Sequence, residues 1–289
     1  LHEQFQFDPP IQMTDIPFEP DEIGPRSEIK PEIIEKYGPA YTQAFSGKGR
    51  GLKKFYIDGL SGAGLHISKS TKASISGSPA RALKVRPPFD GFFFIDLNKD
   101  KTDYLRKQCE GRANVTIYTG DCNEHLTGDV LPKIQYKLFA RALCLLDPYG
   151  MHLNWDVIQM AGESRAIDMF LNFPIMDINR NALTRNPEKA TPESIDRMNR
   201  FWGDDSWRNI AWVESGQQSL FGDPPDLIKQ DNDTIAGAFR ERLRKVAGFA
   251  YVPEPLPMKN SNNAVLYYLF FAAANKTADK IIRGRAINT

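Results

Sequence analysis

Apolar and polar positions along this chain change rhythm near Gly51. Residues 1–28, rich in Pro, Asp, Glu and Phe, keep no period and read as an extended arm. A helix opens at Ser27-Glu-Ile-Lys-Pro31 and runs to about Phe45, with Ser27 or its neighbour as cap. Gly47-Lys-Gly-Arg-Gly51 ends it, either as a solvated turn or as a basic loop able to touch a phosphate. Beyond Gly51 the chain repeats strand, turn and helix. Phe55–Asp58 is a short apolar strand followed by Gly59-Leu-Ser-Gly-Ala-Gly64. Ser78–Leu83 begins a helix, with a serine cap and a proline in its first turn. Gly91–Leu97 is apolar throughout, as a strand buried on both faces should be. Helix Lys99–Cys109, strand Val115–Tyr118, helix Asn123–Leu131, strand Ala142–Leu146, helix Trp155–Ala161 and strand Ala166–Phe173 follow.

Strands alternating with helices imply an α/β fold, with a mostly parallel sheet and right-handed crossovers. Ligands of such sheets bind beyond the carboxyl ends of the strands. Asp58, Asp96, Asp121 and Asp147 each close a strand or open the loop after it, so four acids in register point to one crevice. Residues 174–233 break the rhythm and are too long for a simple loop, which suggests a helical insertion or lid. There Arg180, Arg185, Arg197, Arg200 and Arg208 interleave with Phe201, Trp202, Trp207 and Trp212. Such a pattern fits either tracking of a nucleic-acid backbone or packing of a lid, and Asp204, Asp205, Glu214 and Asp223 suit the second. Thr234–Val246 reads as an amphipathic helix. Phe249–Pro257 and Ala264–Ala273 form a hairpin that closes the sheet with an antiparallel strand, and Ala278–Arg283 is a final short helix. The domain reading is therefore an arm and helix over 1–50 and one α/β domain over 51–289.

Composition adds few constraints. With 289 residues and 41% hydrophobic content, the chain can bury a core without disulfides. A net charge of +1 supplies no general field for nucleic acid or anionic membrane. Cys109, Cys122 and Cys144 lack metal-ligand spacing and read as free thiols in a reducing compartment, which suggests the cytoplasm. No segment approaches the roughly 18 apolar residues of a membrane span, and residues 1–28 do not read as a signal peptide.

The chemistry starts at the glycine turn. Gly59, Gly62 and Gly64 let the backbone turn sharply and let a ligand approach, and a helix after such a turn would offer free N–H groups. Asp96, about 30 residues on, ends the next strand where an acid accepts the hydroxyls of an adenosine ribose. Asp121 either meets an adenine amino group or caps the helix at Asn123. A nicotinamide dinucleotide would use the same features, but Asp58-x-x-x-Gly62-x-Gly64 lacks the full G-x-G-x-x-G spacing. In Asp147-Pro-Tyr149-Gly150 a rigid turn holds an acid that can accept from a nucleophilic amine and an aromatic that can stack on a planar substrate. The same four residues also suit a plain strand-ending turn. His66, His125 and His152 fall near strand ends and read first as solvated or packing residues. No spacing supports a metal.

Taken in order, DGLSGAG (58–64), FFFID (92–96), GDCNEHL (120–126) and LLDPYG (145–150) resemble a Rossmann-like class I methyltransferase. With GSPARAL (77–83), LDPYGMHLNW (146–155), AIDMFLNF and AVLYYLFFAAAN (264–275), the chain is similar to the three-Cys-motif partner (TcmP) family over about residues 30–285. The resemblance implies S-adenosylmethionine as cofactor. Asp58, Gly59, Gly62 and Gly64 would lie at its methionine end, Asp96 at the ribose and Asp121 at the adenine. Asp147 and Tyr149 would face the acceptor, a nucleic-acid base or amino group. It also implies a separate radical-enzyme-like protein with a three-cysteine motif as partner, and with it the alternative of a non-catalytic cofactor-binding protein. Two departures stand out. Leu60 replaces the usual phenylalanine or glycine, and Tyr149-Gly150 replaces the Pro-Tyr of D-P-P-Y, moving the aromatic by one position.

Overall fold

The computed structural model describes residues 18–23, 29–46, 51–69, 71–184, 187–215, 227–276 and 278. In chain order its elements are β1 (Glu22–Ile23), α1 (Ile29–Phe45), β2 (Lys53–Asp58), β3 (Leu65–Ser68), β4 (Ser74–Ser76), α2 (Ser78–Ala82), β5 (Gly91–Asp96) and α3 (Lys99–Gln108). They continue with β6 (Val115–Thr119), α4 (Cys122–His125), β7 (Ala140–Leu146), α5 (Trp155–Glu163), β8 (Ile167–Phe173), α6 (Ile175–Asn181), α7 (Pro192–Trp202) and α8 (Trp207–Ala211). The last are β9 (Trp212–Glu214), β10 (Leu227–Lys229), α9 (Asn232–Lys245), β11 (Leu256–Lys259) and β12 (Val265–Ala273).

The main sheet runs β11-β12-β8-β7-β2-β5-β6. β2 pairs parallel with β5, and β5 with β6. β12 pairs antiparallel with both β8 and β11. A doubly wound order that ends in an antiparallel hairpin strand is the Rossmann-like class I methyltransferase arrangement expected from the sequence. No described helix is long and apolar enough to cross a membrane.

The described chain falls into two compact units. In the first, residues up to His125 together with Phe139–Leu143, the core is aromatic. Tyr56 and Phe92 pack on Phe89 at 5.6 and 5.8 Å between ring centroids, and Tyr41 of α1 reaches Phe89 at 6.1 Å. The residues Phe92–Ile95 are all buried, which is why the run carries no polar alternation. In the second unit, Phe239 of α9 is the hub. It lies 4.6 Å from Phe173, 5.4 Å from Phe270 and Trp202, and 5.6 Å from a stacked Phe201. Trp202, Trp207 and Trp212 are all buried, so their faces belong to the core.

Several sequence expectations need correction. The glycine turn leads not into a helix but into the hairpin β3–β4, because Leu65 and Ile67 alternate with His66 and bury as a strand does. The helix beginning at Ser78 is only five residues long and is capped by Gly77, without a side-chain cap bond. The helix expected over Asn123–Leu131 is α-helical only to His125; it widens to a π turn over Leu126–Val130 and tightens to a 3-10 turn over Leu131–Lys133. Gly128 and Pro132 supply the reason, one by its backbone freedom and the other by lacking an N–H. The hairpin's first strand pairs only over Leu256–Lys259, apart from a lone bridge between Tyr251 and Ala273. Pro253 and Pro255 cannot donate to a ladder. Arg185, Asp223, Gly47–Arg50 and the remainder of Ala278–Arg283 lie outside the described residues.

Candidate functional site

In the first unit, hydrogen bonds gather three of the expected strand ends at β5. Ser61 N donates to Ile95 O at 2.8 Å, and Gly120 N donates to Asp96 O at 3.0 Å. The carboxylate of Asp96 goes further: Oδ2 accepts from Gly62 N and Oδ1 from Asn98 N, each at 2.8 Å. Asp96 is half-buried and belongs to a strand rigid enough to hold it, so one acid sets the position of the glycine turn and of the loop into α3. Asn98 in turn caps α3, accepting from Asp100 N and Lys101 N.

The turn is built for close approach. Gly59, Gly62 and Gly64 are buried, and Gly62 (φ +59°) and Gly64 (φ +74°) adopt the left-handed conformation that favours glycine. A Cβ at Gly64 would stand 3.3 Å from Leu105 Cδ1. At Gly62 it would meet no heavy atom of the described residues within 4 Å. Gly62 is thus buried yet has no described atom on its Cβ side, which leaves a hollow over the turn among the described residues. Asp58, at 1% exposure, lies deeper, and its Oδ2 accepts from the Tyr56 hydroxyl at 3.3 Å.

Asp121 stands exposed on the loop after β6, and its Oδ1 accepts from Asn123 N at 2.8 Å and from Asn123 Nδ2 at 2.9 Å. It therefore caps α4, as one of its two sequence readings held. His125 stacks on Tyr118 at 4.7 Å.

Two residues at this end carry no site role in the sequence, and its reading of Gly91–Leu97 as a strand buried on both faces fails at Leu97, since the strand ends at Asp96. Leu97 is 77% exposed directly after Asp96, an apolar side chain left in the open. Cys122 follows Asp121, and its thiol is pushed up to about 12, first by burial and then by the Asp121 charge. It stays protonated at neutral pH, which removes it as a nucleophile.

Asp147 and Tyr149 belong to the second unit. Asp147, half-buried at the end of β7, accepts at Oδ1 from Asn172 Nδ2 at 2.8 Å. Asn172 is 7% exposed, and its own Oδ1 is buried with no hydrogen-bond partner among the described residues. A carboxylate only accepts, so the amide must turn its NH2 toward Asp147 and leave its oxygen over. Burial, and secondarily Asp147, push the Tyr267 hydroxyl of β12 up to about 12. Neither Asn172 nor Tyr267 stood out in the sequence, where both fall inside apolar strand runs. Tyr149 is 74% exposed. Gly150 after it takes φ +58°, and a Cβ there would stand 2.5 Å from Asp177 Oδ2.

His66 is half-buried and His152 exposed. Among the described residues no cluster of His, Cys, Asp or Glu could hold a metal. A cavity of about 460 Å3 in the second unit is lined in part by Asn154, Trp155, Asn199, Arg200 and Asp204, and none of the expected site residues line it.

No family model matches the chain, and no curated protein matches it. Among solved structures it is similar to a protein from Legionella pneumophila str. Philadelphia 1, at 11% identity and a TM-score of 0.49, with 89% of each chain covered. It is also similar to DszA carbon methyltransferase, at 13% identity and a TM-score of 0.45, over 86% of this chain and 54% of that one. A candidate S-adenosylmethionine-dependent methyltransferase from Listeria monocytogenes shows 12% identity and a TM-score of 0.42, over 86% of this chain and all, 100%, of the other. The fold itself rests on the strand order and directions given above.

Proposed function

We propose that the chain is an S-adenosylmethionine-dependent methyltransferase whose cofactor residues lie at the ends of β2, β5 and β6. The observation that carries the reading is the Asp96 carboxylate, bonded to the glycine turn through Gly62 and set beside the hollow at that residue. The residues present fit the cofactor. A carboxylate offers about four acceptor positions, and two backbone N–H bonds leave capacity for a ribose diol. The hollow at Gly62 would take the methionine end, with Gly59 and Gly64 shaping the turn and Asp58 supplying negative charge beneath the ammonium. Leu97 would lie against the adenine, and Asp121 would accept from its amino group while capping α4.

When bound, the cofactor supplies an electrophilic methyl group on a sulfonium. The chain's own part at the acceptor would fall to Asp147, which would accept a hydrogen from a nucleophilic amine or exocyclic amino group, with Asn172 fixing its orientation. The free cysteines among the described residues agree with a reducing, cytoplasmic setting.

A second reading follows from the likeness to three-Cys-motif partner proteins and from Tyr149, an aromatic held at the surface. Here the chain binds the cofactor, performs no transfer and docks on a radical-enzyme-like protein. Calorimetric titration with S-adenosylmethionine, S-adenosylhomocysteine and NAD tests both. We expect micromolar-range binding of the first two and none of NAD; absence of heat and thermal shift with either adenosyl ligand refutes the cofactor reading. Consumption of bound S-adenosylmethionine by the protein with a nucleic-acid or amine acceptor then separates enzyme from scaffold.

A further inference from the structure

Segment 18–23 is tied to the glycine turn from far away in sequence. β1 lies parallel to β3, the strand that leaves the turn, with Glu22 opposite Ile67 and Ile23 opposite Ser68. Ile67 N donates to Asp21 O at 3.0 Å. Two ion pairs clasp the segment: Lys101 of α3 meets Asp21 at 2.6 Å, and Lys72 of the β3–β4 connection meets Glu22 at 2.5 Å. Lys101 is largely buried, and Lys72 holds the Glu22 carboxyl below the usual carboxylate range. Ahead of the strand, Phe18 packs against a small cluster formed by Ala63, Leu65 and Tyr104. Its ring meets that of Tyr104 edge-on, at 5.5 Å and 81°.

Ala63 is the informative member. It stands between Gly62 and Gly64, both in the left-handed conformation, and is the one side chain between them. Glycines sample either hand freely, so the turn's backbone does not select this shape by itself. The buried methyl of Ala63 is the handle by which surrounding structure can select it. Phe18 and Tyr104 provide that packing, one from the strap and one from the helix that follows Asp96.

We infer that Phe18 is a positioning residue for the cofactor turn, and that segment 18–23 is a strap that keeps the turn in its ligand-ready shape. The inference rests on the cofactor reading above for its binding consequence, though not for its structural one. If the strap selects the conformation, loosening it lowers the fraction of molecules ready to bind, and apparent affinity falls by that fraction.

The test uses the full chain and S-adenosylhomocysteine as probe. Phe18→Ala should weaken calorimetric affinity on the order of tenfold, with Phe18→Leu in between. Amide hydrogen exchange over residues 61–64 should quicken in Phe18→Ala while that of β12 stays unchanged. Asp21→Asn, which keeps the fold's apolar contacts, should shift both readouts the same way by less. Equal affinity and unchanged exchange at 61–64 overturn the strap. So does uniformly faster exchange across both regions, which would mark a merely structural residue. If the unaltered protein binds no probe, the cofactor reading fails, and exchange at 61–64 still decides whether the strap braces the turn.

Discussion

Gly62 donates its backbone N–H to Asp96 Oδ2 at 2.8 Å, so the turn after β2 hangs from the acid that closes β5. The same carboxylate holds Asn98, and hydrogen bonds to charged groups are worth about 1.5–3 kcal/mol each. Asp96→Ala removes both and should lower unfolding stability by about 3 kcal/mol or more, and weaken S-adenosylhomocysteine binding at least tenfold, on the order of one such lost interaction. Asp96→Asn retains one acceptor oxygen and should lose less on both counts. Denaturant unfolding alongside titration measures this; unchanged affinity in Asp96→Ala would remove Asp96 from the site.

Gly62→Ala separates folding from binding. A Cβ there meets no heavy atom of the described residues within 4 Å, so the substitution should cost stability only about 1 kcal/mol, through its left-handed backbone. The methyl would occupy the hollow proposed for the methionine end. Expected is a protein with a nearly unchanged melting curve that no longer gives heat with the cofactor. Retained binding would place the cofactor elsewhere.

Cys122 should be inert despite its position beside Asp121 in the first turn of α4. With its thiol pushed up to about 12, almost no thiolate exists at pH 8. Alkylation by iodoacetamide, followed residue by residue by mass spectrometry, should remain slow at Cys122 and keep rising with pH without a plateau below pH 11, about one unit short of that value. Rapid labelling at neutral pH would mean that its burial is lost in solution.

At Asp231 the sign of the pH dependence is fixed by its cap. Its Oδ1 accepts from Thr234 N at 2.7 Å at the start of α9, the helix that carries Phe239. Those backbone and side-chain hydrogen bonds from Thr234 hold the carboxyl below its ordinary value. The cap is therefore fully present above the unfolded carboxyl range, near pH 4, and is lost as pH falls through the lower folded value. Asp231→Ala should cost about 1 kcal/mol at neutral pH. The difference between the two proteins should shrink below about pH 4. A gap that stays constant down to pH 2 on the same scale would show that the cap does not depend on charge.

The main sheet was legible because its strands are short apolar runs that end on acids, and burial on both faces leaves a continuous signal in Phe92–Ile95. The excursion after the glycine turn was not, since Leu65–Ser68 is four residues long and one of its two partner strands comes from position 22. Of the acids, Asp58, Asp96 and Asp121 could be placed at strand ends from sequence, but not the direction of their bonds. Only the folded chain shows that Asp96 spends both oxygens on backbone, or that Asp121 caps α4. Asn172 could not be found at all, because a lone amide within an apolar strand reads as a tolerated polar residue until its partner Asp147 is known. The tryptophans of 174–233 allow two readings from sequence, a stacking surface or a packed face, and burial of Trp202, Trp207 and Trp212 favours the packed one.

Gly77 N donates to Gly64 O at 2.8 Å, which means the chain departs and returns at one seam around the hairpin β3–β4. A loop whose ends already touch can change length at a penalty that grows only with the logarithm of its size. The tip of β3–β4 is accordingly a port: peptide added there would ride on the hairpin without stretching the sheet. The seam itself is the opposite, for a Cβ at Gly77 would lie 2.9 Å from the Gly64 carbonyl carbon. Variation is admitted at the outer end of this excursion and barred at its root, and a search that demands a helix straight after the glycines will pass over any protein built this way.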